Sequence, residues 1–118
     1  MLDQFKNWIN GKLTGPAEHH DVAHLPPPKS AGGQHLDDLR FIVLDLETTG
    51  LNPAKDKVIA IGAVAIDRMA IPLSDQFDLI LRRPELDIRE TVLIHGIGPE
   101  ALTRGHETQD ALLRLLEW

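Results

Sequence analysis

Residues 41–50 read FIVLDLETTG, and this stretch decides how the rest of the chain is interpreted. Four apolar residues lead directly into two carboxylates, which predicts a buried strand that ends in acid. Because side chains alternate faces along a strand, Asp45 and Glu47 share one face, about 7 Å apart, while Leu44 and Leu46 point into a core. Two like charges at the end of an apolar strand are unfavourable unless a cation lies between them. A divalent metal ion is the simplest such cation, and a merely structural or solvated pair of acids is the open alternative.

The composition indicates one small domain. The chain has 118 residues, 42% hydrophobic and 25% charged, which is typical of a soluble globular protein. No apolar run approaches the ~20 residues that span a bilayer, and the N-terminus lacks the apolar core of a signal peptide. There is no cysteine, which excludes disulfides and thiolate zinc sites, so we expect a cytoplasmic location. The net charge of −6 argues against a generic basic clamp for nucleic acid and is compatible with a metal held through carboxylates.

The chain divides into three predicted segments. Residues 1–13 carry apolar side chains at helical spacing, which predicts a short amphipathic helix. Residues 14–36 hold four of the eight prolines and three of the nine glycines, which is typical of a linker. The first part of the linker contains a cluster of three histidines, His19, His20 and His24. They are interpreted as a solvated cluster rather than a metal site, because no ordered scaffold fixes their geometry. Residues 37–118 form the third segment, a folded domain.

Three strands and then helices are predicted within that domain. The acidic strand is followed by residues 54–57, predicted as an exposed polar tip, and by residues 58–66, an apolar strand with both faces covered. Residues 77–81 form a third strand, and the short connections predict an antiparallel meander. A helix that begins at a proline ends at Gly105, and a second helix, capped by Thr108, carries a leucine stripe.

The acidic strand suits one kind of chemistry in particular. Hydrolysis of a phosphodiester needs a water made nucleophilic at neutral pH and a leaving oxygen relieved of its developing charge. Two divalent ions about 4 Å apart can do both, and magnesium prefers oxygen ligands. Asp45 and Glu47 could flank such a pair. Two carboxylates are usually too few, however, so further acids and a base would have to come from other elements.

Three segments, in continuous order, resemble one enzyme family. The string DLETTG after FIVL resembles the first motif of the DEDD 3′–5′ exonucleases, most closely the DEDDh branch that contains the epsilon proofreading subunit of bacterial DNA polymerase III. Residues 61–64 fit the strand that follows in that family. Residues 95–102, HGIGPEAL, resemble its H-G-I-x-x-E-x-L segment. The resemblance covers residues 41–118.

The resemblance implies an α/β fold with a ribonuclease H-like mixed sheet, whose first three strands are antiparallel. It also implies two Mg²⁺ or Mn²⁺ ions held by four carboxylates, and removal of nucleoside monophosphates from the 3′ ends of single-stranded DNA or RNA. Asp45 and Glu47 match the family's first two catalytic, metal-binding acids. Leu46 and Thr48 match positions that contact the terminal nucleotide, and His95 matches a histidine near that nucleotide. His95 does not match the catalytic base, and a loop-stabilising histidine is its alternative interpretation.

The sequence also departs from the family. The aspartate of the second motif, and the base histidine and last aspartate of the third, have no counterpart, since the context of Asp110 does not resemble the second motif. His106 has no family counterpart either and is interpreted as a surface residue. We therefore expect the N-terminal half of an exonuclease domain, inactive or nearly so by itself.

The same departures predict an unpaired sheet edge and exposed apolar surface, through which copies of the chain would self-associate. The alternative function is a non-catalytic module that binds nucleic acid or a DNA polymerase, with the N-terminal helix and linker as its working part.

Overall fold

The computed structural model describes residues 32–86 and 95–118, which form three strands and two helices after one short 3₁₀ turn. The predicted N-terminal helix, most of the linker with its histidine cluster, and residues 88–94 lie outside these residues. In chain order the elements are the turn Leu36–Asp38, β1 Arg40–Thr48, β2 Val58–Asp67, β3 Gln76–Ile80, α1 Pro99–Arg104 and α2 Thr108–Glu117.

The three strands form one antiparallel sheet in the order β1-β2-β3, which confirms the predicted meander. β1 and β2 pair along their whole length, from Arg40 opposite Asp67 to Thr48 opposite Val58. Between β2 and β3, Asp67 and Ala70 exchange two backbone hydrogen bonds of 2.9 Å. The two residues they enclose both have positive φ angles, as tight two-residue hairpin turns require.

The core lies between the sheet and the helices. Its largest buried cluster joins Ile61 of β2 and Leu81 to Ala111 and Leu112 of α2, and Leu44 and Leu46 of β1 pack against it. The apolar face predicted for the acidic strand is therefore confirmed. A smaller cluster packs Ile59 against Leu102 of α1.

The prediction that the acidic strand is buried is wrong for its first half. β1 pairs only with β2 among the described residues and so lies at the sheet edge. Phe41, Ile42 and Val43 are 38%, 43% and 52% exposed. β2 lies in the middle, but from Ile61 to Ala65 its residues alternate between buried and half-buried, so its two faces are not equally covered. An apolar run reports side-chain chemistry and does not say how many neighbours a strand has.

Two smaller predictions also need correction near the helices. Thr108 is the first residue of α2 and Glu107 holds the N-cap position, without a side-chain capping bond. His106 is more than a surface residue, because its N–H donates to the carbonyl of Ile80 at 2.8 Å and its carbonyl accepts from Arg82 at 2.7 Å. The segment between the helices thus extends the sheet by one parallel bridge, Leu81 to His106.

The architecture is α/β, with three antiparallel strands and helices, as expected for the first part of a ribonuclease H-like sheet. No helix in the described ranges is long and apolar enough to cross a membrane.

Candidate active site

Asp45 stands on the open face of β1. Leu44 and Leu46 pack against the core, so strand alternation turns Asp45 to the opposite side, where its side chain is exposed. Its Oδ1 accepts a hydrogen bond from the N–H of Leu46 at 3.0 Å. The other carboxylate oxygen remains accessible for a cation or a substrate group. The N–H of Leu46 is therefore hydrogen-bonded to Asp45, and the Leu46 side chain packs against the core.

Glu47 and Thr48 lie at a break in the β1–β2 ladder. Glu47 pairs with Ala60, whereas Thr48 pairs with Val58, so Ile59 has no direct partner on β1. This β-bulge bends the end of the strand and redirects the side chains that follow. The hydroxyl of Thr48 donates to the carbonyl of Gly50 at 2.8 Å. The nucleotide-contact position predicted for Thr48 is therefore held against the turn that leaves the strand.

His95 contacts the acid strand directly. Its Nδ1 pairs with Oε2 of Glu47, and the imidazole is 19% exposed against 42% for the glutamate side chain. The H-G-I segment is distant from Glu47 in the sequence, and no sequence pattern identified this partner. The contact makes His95 part of the same site as the acids, and it occupies one of the two Glu47 oxygens.

A trough of about 330 Å³ runs across the sheet beside Asp45, and residues from all three strands line it. Its floor is Gly62, where a side chain would meet nothing within 4 Å. Asp45 pairs with Gly62 on one side and Asp78 pairs with it on the other, so the two aspartates flank the glycine in one cross-strand row. Asp78 was not predicted from the sequence to lie beside the acid strand, although it alternates with the partly buried residues Phe77 and Leu79.

These acids do not complete a metal site by themselves. Two strand spacings place the backbones of Asp45 and Asp78 about 10 Å apart, whereas ligand oxygens of one Mg²⁺ lie within about 4 Å of each other. Within residues 32–86 and 95–118, no group of three or more His, Cys, Asp or Glu side chains is arranged to hold a metal ion. Asp45 and Glu47 supply the hard oxygen donors that Mg²⁺ prefers, and water or phosphate would fill the other positions.

The late aspartate, Asp110, is engaged elsewhere. Its Oδ2 accepts hydrogen bonds from Arg114 at 2.9 Å and from His106 at 3.1 Å. Desolvation acts to raise the pKa of Asp110, but the hydrogen bonds and charges of Arg114 and His106 outweigh it, so the pKa is lowered. This carboxylate belongs to the start of α2 and adds nothing to the acid strand.

Of the predicted site residues, Glu47 and His95 are joined by a side-chain contact, and Asp45 and Thr48 lie near Glu47 along β1. Leu46 is the exception, because its side chain faces the core. The tip that was predicted to be exposed and polar, residues 54–57, contains one residue that is not exposed. Asp56 is half-buried and accepts two hydrogen bonds from the turn after β1, while its neighbours in residues 54–57 are exposed.

An acid-bearing strand, a bulge at its second acid and a histidine that returns to it are compatible with a nuclease domain of the exonuclease class. The family model described as "Exonuclease" matches residues 42–118, and the chain belongs to this family. The resemblance found in the sequence is thereby confirmed.

Relatives in the same class are bacterial polymerases. The chain is 35% identical over 79 residues to the DNA polymerase III PolC-type of Thermotoga maritima, covering 67% of this chain and 6% of that protein. It is 37% identical over 78 residues to the PolC-type polymerase of Mycoplasmopsis pulmonis, covering 66% and 5%. For the polymerase of Staphylococcus epidermidis the identity is 31% over 86 residues, covering 72% and 6%. The chain thus spans about a twentieth of the length of these relatives.

Proposed function

We propose that the Asp45 strand forms part of a metal-dependent 3′–5′ exonuclease site, which hydrolyses phosphodiester bonds at nucleic-acid 3′ ends. The observation that carries this proposal is the contact of His95 with Glu47, at the end of the strand that also carries Asp45 and Thr48, in a chain of the exonuclease family. Two acids at one strand end can bind the metal ions that contact a phosphate, while a hydroxyl beside them contacts the attached nucleotide.

The residues have distinct proposed roles. Asp45 and Glu47 would hold Mg²⁺ or Mn²⁺, and two such ions activate a water and stabilise the leaving oxygen when they are bound. Thr48, fixed by the Gly50 carbonyl, would contact the terminal nucleotide. His95 would lie beside that nucleotide and orient Glu47. Leu46 would contribute through its main chain, because its side chain packs on the core.

We also propose that these 118 residues are inactive, or nearly so, by themselves. Two carboxylates supply half of the four that the family resemblance implies. Because charge stabilisation in a two-metal site is cooperative, the loss of ligands removes most of the rate.

One pair of measurements tests the site and its activity. Mg²⁺ is titrated into the isotope-labelled chain, and the amide signals of residues 45–48 are followed by NMR. We expect weak, saturable shifts that the Asp45→Asn variant loses and the Asp78→Asn variant keeps. An absence of shifts at residues 45–48 would contradict the site. In parallel, the chain is incubated with Mn²⁺ and a 3′-labelled single strand. Mononucleotide release that Asp45→Ala abolishes would contradict the proposed inactivity.

The names of the relatives support a polymerase context for the substrate. Each of the three is a DNA polymerase III, so we propose that the complete exonuclease site, of which these residues form part, acts on 3′ ends in the cytoplasm alongside a DNA polymerase. DNA is the substrate that this context favours, and NMR titration of the labelled chain with single-stranded DNA and with single-stranded RNA distinguishes the two.

A second candidate function, association without catalysis, is favoured by the edge of β1. The nine residues of β1 pair on one side only within the described part of the chain, and three apolar side chains there are exposed. Two copies could pair their β1 edges around a two-fold axis. This pairing would provide partners for the backbone groups at the edge and would cover the exposed apolar side chains. Sedimentation of the chain and of Ile42→Lys tests this, because a charge at that edge should yield monomers. Monomers of the unaltered chain at all concentrations would contradict self-association.

A further inference from the structure

The turn between β1 and β2 is fastened by a single carboxylate, that of Asp56. Its Oδ1 accepts a hydrogen bond from the hydroxyl of Thr49 at 3.2 Å, and its Oδ2 accepts one from the N–H of Asn52 at 2.7 Å. We call this pair of hydrogen bonds the Asp56 clasp. A carboxylate suits the position, since both groups that face it are donors and an ionised aspartate only accepts.

The groups joined by the clasp also close the turn around it. The N–H of Thr49 donates to the carbonyl of Lys57 at 2.9 Å, and the N–H of Lys57 donates to the Thr49 hydroxyl at 2.9 Å. The carbonyl of Asn52 accepts from the N–H of Asp56 at 2.7 Å. The side chain of Asn52 accepts from the N–H of Ala54 at 3.0 Å. The clasp therefore sits at the centre of an ordered turn.

The clasp reaches the active-site strand through Gly50. A Cβ on Gly50 would lie 2.6 Å from Oδ2 of Asp56, so the carboxylate rests against the glycine backbone and leaves no room for a side chain. The carbonyl of the same glycine accepts the hydrogen bond from the Thr48 hydroxyl at 2.8 Å. A chain of contacts thus runs from Asp56 through Gly50 to Thr48, and Thr48 directly follows Glu47 in the strand.

We propose that Asp56 is a positioning residue of the exonuclease site, which fixes the orientation of Thr48 toward the nucleotide by holding Gly50. This inference rests on the proposed function. Asp56 does not touch the metal or the nucleotide in this scheme. It acts because a binding group must be held within about 0.5 Å of its productive position, and a turn without the clasp leaves Thr48 free to rotate.

The variants separate geometry from charge. Asp56→Ala removes both hydrogen bonds of the clasp. Asp56→Asn can keep both, since its amide oxygen accepts from the Asn52 N–H and its amide nitrogen donates to the Thr49 hydroxyl. Asp75→Ala is the matched control, because the Asp75 carboxylate also accepts two hydrogen bonds, both from the Arg40 side chain at 3.1 Å. Arg40 begins β1, so that pair lies about 27 Å from Thr48 along the strand.

The measurement is the affinity for thymidine 5′-monophosphate in saturating Mg²⁺, read from the amide signals of Glu47 and Thr48 in the full chain. We expect Asp56→Ala to weaken the affinity about tenfold, as changes in supporting contacts around metal sites do. Asp56→Asn should restore it to within about twofold of the unaltered chain, because it preserves the supporting hydrogen bonds. Asp75→Ala should lower the urea midpoint and leave the affinity unchanged.

The outcomes show whether the clasp positions Thr48 or is only a structural set of hydrogen bonds. They also separate failure of this inference from failure of the proposed function. Equal weakening by Asp56→Ala and Asp75→Ala would overturn the inference, as would unchanged affinity in Asp56→Ala. If the unaltered chain gives no saturable response to the nucleotide, the proposed function fails and the inference fails with it. If Asp56→Ala does not fold, Thr49→Val replaces it, because it removes the hydroxyl that donates to Asp56, together with the bond from the Lys57 N–H, and keeps the side-chain shape. Weakened affinity in Thr49→Val supports the inference, and unchanged affinity overturns it.

Discussion

His95 and Glu47 form a direct side-chain contact, Nδ1 to Oε2, which ties the segment after β3 to the acid strand. The contact gives the histidine a defined partner, and it also gives Glu47 a competitor for any cation. An oxygen that accepts from an imidazole N–H has less capacity left for a metal ion. His95 therefore both orients the acid and limits its free coordination sites.

Replacement of His95 by alanine should strengthen the binding of Mg²⁺. The freed Oε2 becomes available to the ion, and we expect an increase of about fivefold, since a net hydrogen bond contributes roughly 1 kcal/mol. The affinity is measured by NMR titration at pH 7. His106→Ala is the matched control, because His106 pairs with Asp110 on α2 and has no contact with Glu47 in the structure. Weaker binding in His95→Ala would show that the histidine supports the metal site instead of competing with it.

The sequence predicted the strands and helices more accurately than the burial of their residues. Periodicity and turn residues predicted β1, β2, β3 and the two helices, because these depend on local properties of the chain. An apolar run does not report which strands are neighbours, so Phe41 and Val43 were wrongly expected to be buried, although the absent motifs predicted an unpaired sheet edge.

The site was predicted in the same uneven way. The acids were found because DLETTG is a contiguous string. The partner of His95 and the clasp of Asp56 were missed, because both depend on long-range or turn geometry that no spacing reports. Asp56 carried one available signal, an aspartate that closes a turn opened by Thr49 and Gly50, where short polar side chains commonly bond the backbone.

Replacement of Gly105 by alanine should destabilise the domain strongly, although it adds only one methyl group. A Cβ there would lie 2.6 Å from the carbonyl carbon of Leu81 and 2.8 Å from the backbone nitrogen of Arg82. These are main-chain atoms of a sheet bridge, which cannot move aside as a side chain can, so we expect a loss of about 1–3 kcal/mol in unfolding free energy. Urea denaturation followed by circular dichroism measures it.

The matched control for Gly105 is Gly62→Ala. A Cβ on Gly62 meets nothing within 4 Å, and alanine in a strand is favoured over glycine by about 0.5–1 kcal/mol. A Gly105→Ala variant as stable as Gly62→Ala would mean that the bridge between Leu81 and His106 is not formed in solution.

The end of α2 is fixed to the sheet through Trp118 and Arg40. The guanidinium carbon of Arg40 lies 4.7 Å from the centroid of the Trp118 ring, whose other neighbour is the Phe77 ring at 5.7 Å. Arg40→Ala should cost about 1–2 kcal/mol, as the sum of a cation–π contact and a partly exposed ion pair with Asp75. The emission of Trp118, read in a Trp8→Phe background, should shift to longer wavelength as its ring gains solvent. Asp75→Ala removes only the ion pair, so an equal loss in that variant would contradict a contribution from the ring contact.

Asp110 should make the stability of the domain depend on pH in the acid range. Desolvation acts to raise its pKa, but the hydrogen bonds and charges of Arg114 and His106 prevail, so the folded-state pKa lies below the ordinary value of 3.8. A group with a lowered folded-state pKa contributes stability above its unfolded pKa and loses that contribution as the pH falls through the folded value. The unaltered chain should therefore be more stable than Asp110→Asn at pH 7, and the difference should shrink below about pH 4, near the pKa of an unperturbed aspartate. Urea unfolding of both chains from pH 7 to pH 3 measures the difference. The side chain is nearly half exposed, so the effect should be small, and Arg114→Ala should reduce it further. A difference that grows below about pH 4, where an unperturbed aspartate gains its proton, would show that Arg114 and His106 do not hold the carboxylate.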